Sequence, residues 1–194
     1  MGQSSPVLIG DSNASRLVLL AVAFSVLFAA TSIPAIWQGD VPRAVLFSSV
    51  VLGVGLAALS AADVHTLRLP DLLTLPLMGA GLLMAWLMGW APLWWRGLSA
   101  AAAFLLLYAV ELAYLRLRGR RGLGRGDAKL FAASGAWLGA EGLAIVLLWA
   151  CGTALMSILL AACFGHRLTP TTKLPFGPFL ALGTWLVWFY GPLN

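Results

Sequence analysis

Apolar blocks about as long as a bilayer is thick, separated by short basic loops, constrain this chain more than any other feature. A helix needs roughly 20 residues to cross a hydrocarbon core of about 30 Å. Blocks of this kind run at 17–37, 43–62, 72–90, 97–115, 128–140, 142–163 and 177–192, which predicts about seven helices. The alternating strand pattern of an outer-membrane barrel is missing. The predicted fold is therefore all-α, a polytopic transmembrane helical bundle. Composition agrees: 61% of residues are hydrophobic and 10% charged, where a soluble domain carries about 25% charged. Residues 1–15 lack periodicity and read as a flexible cytoplasmic tail, with residues 16–194 forming one membrane domain. Arg16 ahead of the first block and Ala29-Ala30 within it resemble a signal peptide, but the block is longer than such a peptide needs.

The net charge of +5 does not point to nucleic acid, because the charges sit in loops between apolar blocks, where they encode orientation. With a cytoplasmic N-terminus, Arg16, Arg68, Arg116, Arg118, Arg120, Arg121, Arg125, Lys129, Arg167 and Lys173 lie inside, and only Arg43 and Arg96 outside. Trp37, Trp94 and Trp95 read as interfacial anchors near the outer ends. Cys151 and Cys163 share one apolar block without Cys-x-x-Cys spacing, so packed free thiols are expected rather than a disulfide or a zinc site.

The chain has seven acidic residues. Asp11 belongs to the tail, and Asp40 and Glu141 fall in outer turns, all three expected to be solvated. Glu111 lies inside the fourth block and is expected to snorkel or to pair with Arg116. Asp71 follows Pro70 at the start of the third block, an N-cap position. Asp63 ends the second block and Asp127 begins the fifth, so the predicted topology brings two distant carboxylates to one membrane face. The fifth block, 128–140, spans only about 20 Å at 1.5 Å per residue, which draws Asp127 away from free solvation. Gly124 and Gly126 flank it, and their missing Cβ atoms permit close packing there. The phosphate-binding pattern Gly-x4-Gly-Lys-Ser/Thr is absent. Lys129 is expected to snorkel. His65 and His166 occupy different loops without further ligands, so no metal site is expected.

The stretch GRGDAKLFAASGAWLG, residues 124–139, resembles the signature of the type IV prepilin peptidases, an intramembrane aspartyl protease family of the Gly-x-Gly-Asp type. DVHTLRLPDLLTLPL, residues 63–77, resembles that family's other aspartate motif, with Pro70 seven residues after Asp63. LPFGPFLALG, residues 174–183, resembles a third stretch near the last helix. The resemblance implies that Asp63 and Asp127 are the catalytic pair, supported by Gly124, Gly126, Lys129 and Pro70, and that Pro175, Phe176, Gly177 and Pro178 line a substrate groove. It implies an aspartic endopeptidase of the bacterial inner membrane that faces the cytoplasm. Its substrates would be prepilins or pseudopilins of type IV pili or type II secretion, cut after a short basic leader, and no cofactor is required. Nucleic acid is not expected as a partner, the bilayer is, and oligomeric state is left open. Larger members carry a cysteine-bearing methylating domain for which this chain has no room, so peptidase activity alone is the expectation. Arg121 stands where the family often has an acidic residue. Presenilin-like proteases, which carry a Pro-Ala-Leu motif missing here, and a non-catalytic assembly factor are the alternatives.

Overall fold

The computed structural model describes residues 43–66, 69–119, 122–164 and 175–191. These form six helices: α1 (Arg43–Thr66), α2 (Asp71–Met88), α3 (Leu93–Arg118), α4 (Arg125–Leu138), α5 (Ala140–Cys163) and α6 (Gly177–Tyr190). Each matches one of the predicted apolar blocks from the second to the seventh. The first block, 17–37, the tail 1–15, and the charges Arg16, Arg68, Arg120, Arg121, Arg167 and Lys173 lie outside the described residues, as do Asp11, Asp40, Trp37, His166 and the His65 side chain. Four helices, α1, α2, α3 and α5, are long and apolar enough to cross a membrane. The chain is a multi-pass membrane protein.

Local chemistry sets the helix ends. Pro70 cannot continue a preceding helix, and its carbonyl accepts hydrogen bonds from the Leu73 and Thr74 amides and from Thr74 Oγ1, which closes the first turn of α2. Pro92 plays the same part before α3. Pro178 supplies the preset φ favoured in the first turn of α6. Between α4 and α5 the backbone turns at Gly139, whose φ of 78° is comfortable only without a Cβ.

The 14-residue α4 is the centre of the bundle. It packs on α2, α3, α5 and α6, and every residue from Leu130 to Leu138 is buried. Its length of about 21 Å therefore does not have to match the bilayer, since its neighbours screen it from lipid. Polar ties fix its position. Trp137 Nε1 donates to the Leu77 carbonyl of α2 at 2.8 Å, the Ser134 and Thr184 hydroxyls bridge to α6 at 2.6 Å, and Arg96 Nη1 donates to the Trp137 carbonyl from α3 at 2.7 Å. Bonds of this kind between membrane helices contribute about 0.6 kcal/mol each, up to about 2. A further hydrogen bond, Trp188 Nε1 to Ser49 Oγ at 2.8 Å, joins α6 to α1.

Large apolar side chains such as Leu72, Leu98, Leu105, Leu148 and Leu155 cover the outside of the bundle, as lipid solvation requires. Two expectations are corrected here. Cys151 and Cys163 are exposed on the outer surface of α5 rather than packed inside, because an all-round apolar helix gives no sequence signal for which face is inward. Arg96 is buried and caps the end of α4 instead of marking an outer loop. Glu141 is exposed, as expected, and accepts a hydrogen bond from Trp95 Nε1 at 3.2 Å.

Candidate active site

Three helix ends converge around the two aspartates. Asp63 lies in the last turn of α1 and is 5% exposed. Its Oδ2 accepts the Gly177 amide hydrogen at 2.9 Å, so the carboxylate rests on the N-terminus of α6, where unpaired amides and the helix dipole favour negative charge. A Cβ added at Gly177 would stand 2.7 Å from Asp63 Oδ2 and 3.0 Å from its Cγ. Only glycine admits the carboxylate at that distance. Of the stretch expected to line a groove, Gly177 and Pro178 are buried and Gly177 holds Asp63, while Pro175 and Phe176 are half-buried.

Asp127 is in the first turn of α4 and is 7% exposed. Its Oδ2 accepts the Gly124 amide hydrogen at 3.1 Å, and its own amide donates to the Gly124 carbonyl at 3.1 Å. This fixes the χ angles of the side chain against the start of its helix. Its other oxygen, Oδ1, is buried and has no hydrogen-bond partner. Gly126 provides the close approach anticipated at this motif: a Cβ there would meet Leu69 Cβ at 2.8 Å. The start of α4 is therefore pressed against the segment that leaves α1, three residues after its end. Gly124 acts through its amide, and a Cβ there would stand 3.2 Å from Asp127 Oδ2.

Asp63 lies within electrostatic reach of Asp127. Burial first, then the Asp63 charge and the Glu111 charge, push the Asp127 carboxyl up to about 7, against the opposing Gly124 hydrogen bond. Two buried carboxylates that feel each other's charge do not both ionise readily. Each has one oxygen tied to a backbone amide.

The supporting residues divide. Lys129 Nζ pairs with Asp71 Oδ1, the one salt bridge among the described residues, and ties α4 to α2. Lys129 therefore does not simply snorkel, and Asp71 makes no side-chain cap for α2, whose N-cap residue is Pro70. Pro70 is exposed and shapes the turn between Asp63 and α2. Glu111 forms no ion pair with Arg116; it is 5% exposed and its Oε2 is unpartnered. Among the described residues no three His, Cys, Asp or Glu side chains group so as to hold a metal ion.

Residues 50–165 match the type IV leader peptidase family. The chain belongs to that family. The match includes both aspartates and stops short of Gly177. Among similar proteins are prepilin leader peptidase/N-methyltransferases of Aeromonas salmonicida, 41% identical over 142 residues and covering 70% of this chain and 46% of the relative, and of Xanthomonas campestris pv. campestris, 40% identical over 157 residues, 80% and 51%. That of Burkholderia pseudomallei is 41% identical over 150 residues, 77% and 48%. The chain spans about half the length of the curated relatives it matches. No solved structure matches it. Family membership agrees with the resemblance carried by the three motifs.

Proposed function

We propose that this chain is an intramembrane aspartyl endopeptidase that removes the short basic leader from type IV prepilins or pseudopilins at the cytoplasmic face of the bacterial inner membrane, with Asp63 and Asp127 as its catalytic pair. The observation that carries this reading is the meeting of two buried carboxylates, each anchored through one oxygen to the amide of a helix start, in a chain of the leader peptidase family. The positive-inside bias of the loops supports the orientation.

The chemistry follows from the proton that the pair shares. Asp127, whose Oδ1 receives no donor, holds the proton, and Asp63, whose Oδ2 accepts the Gly177 amide hydrogen, is the base. A water between them loses a proton to Asp63 as its oxygen attacks the scissile carbonyl carbon, while Asp127 donates its proton to the carbonyl oxygen. The gem-diol intermediate collapses with cleavage of the C–N bond as the leaving amine takes the proton from Asp63 and one hydroxyl returns its proton to Asp127, which restores the pair. Gly177 and Gly124 act as positioning residues by fixing the carboxylates, and Gly126, Pro70 and the Lys129–Asp71 pair hold the helices that bear them.

The test is direct. The purified chain in lipid vesicles is given a type IV prepilin, and the released leader and new N-terminus are read by mass spectrometry. A single cut between the basic leader and the apolar helix is expected. An uncut prepilin, or a cut within the apolar helix, refutes the reading.

A further inference from the structure

Glu111 is a buried acid with no structural duty. It belongs to the inward stripe of α3, which includes Arg96, Ser99, Ala103, Leu107 and Glu111, and this stripe faces α4. The two helices run antiparallel in a register fixed by three contacts. Arg96 meets Trp137, a Cβ at Gly135 would strike the Ser99 carbonyl at 2.7 Å, and one at Gly122 would strike the Tyr114 ring at 2.7 Å. Equal rises counted from the Ser99–Gly135 contact put Leu107 level with Asp127, and Glu111 one turn, about 6 Å, beyond it. Glu111 therefore stands beside the Gly122–Gly124 turn, past the dyad and away from the apolar body of the bundle. Its charge reaches Asp127.

A carboxylate that is 5% exposed with a bare Oε2 is costly to keep unless something pairs with it. Its own helix does not supply the partner: Arg116, five residues on, is turned about 140° around the helix and is exposed. The surroundings are otherwise cationic, with Arg116, Arg118 and Arg125 all exposed at this end. A substrate cut at the dyad must leave in two directions. Its apolar helix passes along the membrane body, and the segment ahead of the cut passes the Gly122–Gly124 turn.

We infer that Glu111 is a specificity-determining residue that receives a cationic side chain of the leader, on the leader's side of Asp127. The assignment rests on the peptidase reading above. It also accounts for how a site rimmed with arginines accepts a basic leader: the rim faces outward, and Glu111 faces the path of the leader.

The test uses the full chain in lipid vesicles and three prepilins that differ only at the basic leader position nearest the cut, which is kept as Lys or replaced by Ala or Glu. Wild type is expected to show a KM about tenfold lower for Lys than for Ala, the loss of about one charge-assisted hydrogen bond. Glu111→Gln, which keeps the shape and relieves a buried charge, is expected to lose that preference at similar kcat, and Glu111→Asp to retain it. Glu111→Lys is expected to prefer the Glu leader. A Glu111→Gln protein that keeps the wild-type preference overturns the assignment. So does one whose kcat falls while KM and preference stay as in wild type, since Glu111 would then act on the dyad's proton. A wild type that releases no leader from any of the three sinks the peptidase reading itself, which none of the Glu111 outcomes does.

Discussion

Replacing Gly177 with alanine tests the geometry of the site where it is tightest. The new Cβ would lie 2.7 Å from Asp63 Oδ2, 3.0 Å from Cγ and 3.1 Å from Cβ, where ordinary contact begins at 3.4 Å. The carboxylate, the α6 start, or both must therefore retreat by about 0.7 Å to reach van der Waals contact with Oδ2, a distance in the range where a misplaced reacting group costs about 10²-fold in rate. Stability is the poorer readout. Overpacking costs about 1–3 kcal/mol and alanine regains up to about 1 kcal/mol over glycine within a helix, so the net change lies anywhere from about 0 to 3 kcal/mol and does not discriminate. The assay is single-turnover cleavage of prepilin in vesicles, alongside Gly97→Ala, whose Cβ meets nothing within 4 Å. A drop near 10²-fold for Gly177→Ala and none for Gly97→Ala is expected. A folded Gly177→Ala protein that cleaves within about threefold of wild type refutes the claim that Gly177 sets the position of Asp63.

Other outcomes follow from the same contacts. The Asp127 carboxyl, raised to about 7 chiefly by burial, is protonated below that pH and ionised above it, so cleavage should fall about tenfold per pH unit above about 7; a rate flat to pH 9 contradicts the shared proton. Arg96→Ala leaves the buried Trp137 carbonyl without its donor and is expected to lower stability by about 1–3 kcal/mol in thermal unfolding, with activity per folded molecule preserved. Lys129→Ala breaks an ion pair whose side chains are 34% and 57% exposed, and its stability cost should stay under about 1 kcal/mol; a larger loss would mean that the pair does more than tie α4 to α2.

The helices were legible because length and apolarity alone decide what crosses a bilayer, and the six described helices fall on predicted blocks. The meeting of Asp63 and Asp127 was legible for the same reason, since alternating spans bring the ends of the second and fifth blocks to one face. What the sequence concealed depends on helix rotation and register. Arg96 looked like one more orientation charge, and only its reach to the Trp137 carbonyl reveals a cap. Lys129 and Asp71 are 58 positions apart, and neither carries a local mark of the other. Gly177 stood in a recognised stretch, but its purpose lies in a Cβ that would collide with a residue 114 positions away. Glu111 was expected to snorkel or to pair with an arginine, although Arg116, five residues along the helix, points in a different direction. The cysteines were placed inside because apolar residues usually are, a habit of water-soluble cores that lipid-facing helices do not share.

The central claim is that Asp63 and Asp127 act as one catalytic unit, and the most direct test is prepilin cleavage by Asp63→Asn, Asp127→Asn and the double variant. Asparagine keeps the shape but cannot exchange the proton. Each single variant is expected to lose at least about 10³-fold, with the double variant no worse than either, because residues that act as a unit are not additive. A single variant that inserts normally and cuts within about tenfold of wild type would contradict the account.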